Sequence, residues 1–123
     1  MTIAYWCVLF AGILPILTVA IAKLKPGFDN ANPRAWLERQ EGLRRRADFA
    51  HRNHFEAFPF FAIAVLIAGQ MHAAQSAIDT LALTFILARI AFTIFYLADL
   101  PSMRTIAFTI AYGCVIGLFF IGR

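Results

Sequence analysis

Apolar residues run without a charge from Thr2 to Ala22, and about 21 residues at ~1.5 Å each are enough to cross a hydrocarbon layer roughly 30 Å thick. Pro15 predicts a kink in that helix. Lys23 to Gly27 supplies its end, through charge, a proline that cannot extend a helix, and a glycine suited to a left-handed cap. A polar connection, Phe28 to Asn32, follows. Asn32-Pro33 is a helix start signal, with Asn as the cap and Pro at the first position, and Gly42 can interrupt what begins there. The next apolar stretch, Ala57 to Met71, measures only about 22 Å, so the helix needs more length to span. Counting back about 20 residues from Met71 reaches Arg52, which draws Arg52, Asn53 and Glu56 below the headgroups. His72 to Asp79 reads as a polar turn. Thr80 to Ala98 is a third span broken only by Arg89, Asp99 to Arg104 a tight connection, and Thr105 to Ile121 a fourth span. The pattern predicts an all-α membrane protein, a four-transmembrane-helix bundle forming a single domain over residues 1–123.

Composition agrees with that reading. Hydrophobic residues make up 61% of the 123 and charged residues 15%, against about half and about a quarter in soluble domains. The net charge of +4 does not imply a nucleic-acid partner, because the Lys and Arg residues cluster beside apolar runs, as in cytoplasmic loops of membrane proteins. Lys23, Lys25, Arg34, Arg39, Arg44, Arg45, Arg46 and Arg52 flank or fill the first connection and Arg104 marks the third, whereas the opposite side has only Arg123. The first and third connections are therefore expected in the cytoplasm and both termini across the membrane. The first apolar run lacks a basic leader and a clear small-residue cleavage site, so it is expected to be a retained span. Cys7 and Cys114 stand alone in apolar stretches and read as small buried hydrophobes.

The polar half of the second long helix carries the chemistry. Arg45, Asp48, Arg52 and Glu56 form one stripe, and Arg46, Phe49, Asn53, Glu56 and Phe60 a neighbouring one. Neither stripe suits lipid, so other helices or other subunits must cover them. Arg89 and Glu56 come at matching depths and are expected ion-pair partners, either as a structural pair or as part of a site. Tyr96 returns to nearly the face of Arg89, and Arg104 can close the same cavity at the surface. Arg44 to Arg46 read either as a headgroup-binding basic patch or as part of a ligand site. His51 and His54 lie on different faces without a second ligand cluster, so no metal site is expected, and His51 is expected to bond a helix neighbour. The 13 phenylalanines read as packing and lipid contact.

The run from Arg46 to Phe60 resembles the helix-two signature of the MAPEG superfamily, the membrane-associated proteins in eicosanoid and glutathione metabolism. Its matching elements are Ala50-His51-x-Asn53, Glu56 three residues after Asn53, and Pro59-Phe60. Arg89, Tyr96 seven residues on, Leu100-Pro101 and Arg104 are similar to the second half of the family's site. The resemblance is to the uncharacterised bacterial branch, with Phe49 where better-known glutathione-using members carry Arg. It implies a homotrimer in the bacterial inner membrane, with glutathione as cosubstrate between adjacent subunits on the cytoplasmic side. Arg46, His51, Asn53, Glu56 and Arg89 would bind it, Glu56 holding the amine and the arginines the carboxylates. Arg104 or Tyr96 would be catalytic, stabilising a thiolate that must form from a thiol of pKa ~8.5 before it can attack. The implied activity is a glutathione transferase or peroxidase acting on lipophilic electrophiles. The alternative is a non-catalytic trimeric scaffold or lipid-binding protein. A small four-span exporter would need an acidic residue in the first span, which has none.

Overall fold

The computed structural model describes residues 1–122, so Arg123, the basic residue counted on the opposite side, lies outside the described residues. Among the described residues, five helices follow one another: α1 (Ile3–Lys23), α2 (Pro33–Glu38), α3 (Gly42–Gln70), α4 (Gln75–Leu97) and α5 (Pro101–Phe120). Three of them, α1, α4 and α5, are long and apolar enough to cross a membrane. The longest, α3, has 29 residues, or about 44 Å, and its charged first half sets it apart. Short connections make α3, α4 and α5 antiparallel neighbours. Against α3 lies α1, while α4 pairs chiefly with α5, and α3 also touches α4 and α5.

Small residues let the helices approach. Ala4, Cys7 and Ala11 of α1 pack with Phe61, Ala64, Val65 and Ala68 of α3, as expected where lipid supplies no hydrophobic drive and van der Waals fit decides. Phe61 stacks on Phe85 of α4 with ring centroids 3.9 Å apart and planes 7° from parallel. Cys7 and Cys114 are both free and buried. Near Pro15, α1 continues as a single helix, so the proline ends neither half.

Several boundaries differ from the sequence reading. The second helical signal splits: α2 stops at Glu38 and α3 starts at Gly42, whose φ of +63° turns the chain. Arg45 holds this break by donating to the Glu38 and Gln40 carbonyls at 2.9 and 3.4 Å. Asn32 precedes α2, but its side chain makes no capping hydrogen bond. Gly27 adopts a φ of +89° beyond the end of α1, while Leu24 is the cap itself. Helix α4 opens at Gln75 rather than Thr80, and α5 at Pro101 rather than Thr105. Polarity marks where lipid would end, not where the backbone stops being helical. Asp79 is helical and turned toward α1, accepting the Ala4 N–H at 2.9 Å and the Gln75 amide at 2.8 Å.

The ends of α3 and α4 use one device without glycine. His72 (φ +57°) and Asp99 (φ +59°) take left-handed conformations. Ala73 N–H then returns to the Ala68 carbonyl at 3.1 Å, and Leu100 N–H to the Phe95 carbonyl at 2.9 Å. These are Schellman closures, and they permit the short turns that align the three helices.

Candidate functional site

The site lies toward the end of the bundle at which α2 sits, where α3 and α5 begin and α4 ends. Arg89 of α4, about 12 Å inside that end, is only 2% exposed. Its Nε donates to Nδ1 of His54 at 3.2 Å, and its Nη2 approaches the same nitrogen at 2.7 Å and donates to Asn53 Oδ1 at 2.8 Å. The guanidinium also lies 4.3 Å from the centre of the Phe92 ring. Glu56 does not pair with it. The expected Glu56–Arg89 ion pair is replaced by a cage of neutral acceptors, because the face of α3 that meets α4 carries His54, while the Glu56 residue remains exposed in the single chain.

Two adjoining hollows connect the predicted residues. One, of about 210 Å³, has Asn53, Glu56 and Arg89 among apolar walls that include Phe60, Phe108 and Tyr112. The other, of about 240 Å³, is lined by Asn53, Phe92, Tyr96, Arg104, Thr105 and Phe108. Asn53 and Phe108 belong to both. A ladder of rings and cations runs through them: Arg89 over Phe92, Phe92 edge-on to Tyr96 with centroids 5.5 Å apart, and Arg104 over Tyr96 at 4.4 Å. Such contacts favour a cation by about 0.5–2 kcal/mol, depending on desolvation. Neither the Tyr96 hydroxyl nor the Arg104 guanidinium makes a hydrogen bond among the described residues, so both can meet a ligand.

Two predicted residues lie elsewhere. Arg46 donates through Nε to the Leu97 carbonyl at 3.2 Å, tying α3 to the C-terminal end of α4, where a cation is favoured. His51 faces the opposite side of α3, its Nδ1 2.7 Å from the Asp48 carbonyl and 3.2 Å from Asp48 Oδ1. There it lines a wider pocket of about 520 Å³ with Lys23, Arg34, Asp48 and Arg52, between α1, α2 and α3. Arg52 pairs with the buried Asp48 at 2.8 Å. Phe49, on the stripe of Asn53 and Glu56, has Arg45 and Arg52 at 4.9 and 5.9 Å from its ring centre.

Sequence reasoning missed His54, Phe92 and Thr93. A signal for His54 was present: Ala47, Ala50, His54, Phe61, Ala64 and Ala68 fall on one helical stripe, and all are buried. Phe92 is invisible among many phenylalanines until Arg89 is seen to rest on it.

Apolar spanning helices around a buried arginine and a polar end cavity define an integral membrane protein of the all-α type. Comparison with family models narrows the class: the model described as MAPEG family matches residues 3–122, nearly the whole chain. The chain therefore belongs to the MAPEG family, membrane proteins of eicosanoid and glutathione metabolism. No curated protein and no solved structure gives a significant match.

Proposed function

We propose that the protein uses glutathione at the membrane, as a transferase that joins its sulfur to lipophilic electrophiles or as a peroxidase in which a lipophilic peroxide is reduced as glutathione is oxidised, the substrate arriving through the bilayer. The observation that carries this is the convergence of Asn53, Glu56, Arg89, Tyr96 and Arg104 on two adjoining hollows. Glutathione has an amine, two carboxylates and a thiol, and this donor set fits it. Glu56 would take the amine, Arg89 a carboxylate, and Asn53 a backbone amide. Arg104, with the Tyr96 hydroxyl beside it, would stabilise the thiolate, since a nearby guanidinium favours the ionised sulfur. The apolar walls suit a greasy electrophile.

In this reading α3 is the fourth span and the chain works as a homotrimer in the bacterial inner membrane, forming a single domain. Both termini then lie opposite the cytoplasm, with the α2 end inside. Exposed Glu56 supports assembly, because at that depth an uncovered carboxylate costs a few kcal/mol or more. The two faces of α3 support it as well. His51 lines one hollow with Arg34 of α2, and Glu56 and Asn53 line another across α3, so a ring can join the first hollow of one subunit to the second hollow of the next. Arg46 retains donors for a ligand carboxylate or headgroup beside its bond to Leu97.

Stopped-flow absorbance in the thiolate band tests the reading: mixing with millimolar glutathione should give a rise that Arg104→Ala abolishes. A non-catalytic trimeric scaffold or lipid-binding protein is the second reading. Phe49 favours it, since that apolar ring with two flanking arginines resembles a headgroup contact. The double change Glu56→Gln with Arg89→Met then leaves the oligomer and every ligand assay unchanged.

A further inference from the structure

The partners of Arg89 fix a proton position. A guanidinium has donors only, so the Nδ1 atom of His54 that receives Arg89 Nε at 3.2 Å carries a lone pair. The other ring nitrogen, Nε2, is 2.8 Å from Thr93 Oγ1. That hydroxyl has already committed its proton, donating to the Arg89 carbonyl at 2.8 Å, and it therefore accepts from Nε2–H. The ring is neutral with its proton on Nε2, and Thr93 closes the loop back to the residue that His54 holds.

A consequence follows for charge. Among the described residues, both hydrogen-bond partners of the Arg89 side chain, Asn53 and His54, are neutral. A bonded carboxylate would satisfy the geometry equally well but would cancel the cation. Here the geometry is satisfied through Nε and Nη2 and the charge is kept, Arg89 lines the hollow, and Nη1 has no hydrogen-bond acceptor among the described residues. Glu56 lines the same hollow and acts on the guanidinium through space, with no hydrogen bond between them.

We propose that His54 is a positioning residue: as the neutral Nε2–H tautomer it locks Arg89 as a cation with no hydrogen-bonded carboxylate, lining the hollow and ready for a ligand's anionic group. The ligand half of this proposal rests on the glutathione reading above, and the tautomer half does not.

The test has two arms. In the first, protein labelled with ¹⁵N-histidine is studied in lipid nanodiscs near pH 7. The His54 ring is the one lost in His54→Asn, or is assigned by elimination with His51→Asn and His72→Asn. A pyridine-type Nδ1 with a pyrrole-type Nε2–H supports the proposal, and an imidazolium or an Nδ1–H ring overturns it. Arg89→Met should shift the Nδ1 signal, and an unmoved signal also overturns it. The second arm is glutathione calorimetry. His54→Asn retains an acceptor near the Nδ1 place and should bind within about threefold of the parent, less than 1 kcal/mol. His54→Asp sets a carboxylate against Arg89 and should weaken binding about tenfold or more. Undiminished binding by His54→Asp overturns the need for a cation with no hydrogen-bonded carboxylate. If the parent chain itself fails to bind glutathione, the proposed function falls, while the ring spectrum still decides the role of His54.

Discussion

The guanidinium of Arg104, from the first turn of α5, rests 4.4 Å from the centre of the Tyr96 ring at the end of α4. One aromatic face thus seats the cation, and the hydroxyl of the same ring projects beside it as a separate donor. The arrangement lets the two contributions be separated. Tyr96→Phe keeps the seat and removes only the hydroxyl, whereas Arg104→Ala removes the charge. Turnover of glutathione with a model electrophile should fall roughly 10²-fold in Arg104→Ala, the scale of losing one donor to developing negative charge, and less in Tyr96→Phe. Equal losses in steady-state kcat would remove the distinction between them.

A shared site predicts complementation. His51→Ala and Glu56→Gln chains alter opposite faces of α3, and each alone should lose glutathione binding. Coexpressed in mixed oligomers, they rebuild some interfaces in which an unaltered His51 face meets an unaltered Glu56 face. Activity of purified mixed oligomers should exceed that of either parent pool. No recovery would place the whole site within one chain.

Asp79 joins the start of α1 to α4 by accepting the Ala4 N–H at 2.9 Å. Asp79→Ala leaves an orphan donor at a helix N-terminus and should cost about 1 kcal/mol. Denaturant titration in detergent micelles checks it, with Asp79→Asn expected to recover most of the loss.

Gly42 has a φ of +63° and open space where a Cβ would stand. Gly42→Ala therefore meets backbone strain alone, about 1–2 kcal/mol. The strain should loosen the α2–α3 break first, read as faster amide exchange around Glu38 to Leu43, with the α4–α5 pair unaffected.

Much of this architecture was legible because length and greasiness are additive along a chain. A run such as Thr2 to Ala22 announces a span without any neighbour, and Asn53, Glu56, Arg89, Tyr96 and Arg104 stood out as polar groups that lipid rejects. The starts of α4 and α5 were less legible, because Gln75 to Asp79 and Pro101 to Arg104 are polar and helical together. The left-handed caps at His72 and Asp99 were hidden because neither is glycine, and only the closing hydrogen bonds reveal them.

Pairing was decided in three dimensions. Matching depth made Glu56 and Arg89 natural partners, yet depth is one coordinate and azimuth is another. The rotation of α3 against α4 presents His54 and Asn53 to Arg89, and it leaves Glu56 at the rim. By itself the sequence determined which residues must be sheltered from lipid, since that depends only on their chemistry and position along a helix. The rotation of each helix against its neighbour determined what shelters them, because a hydrogen bond needs direction as well as distance.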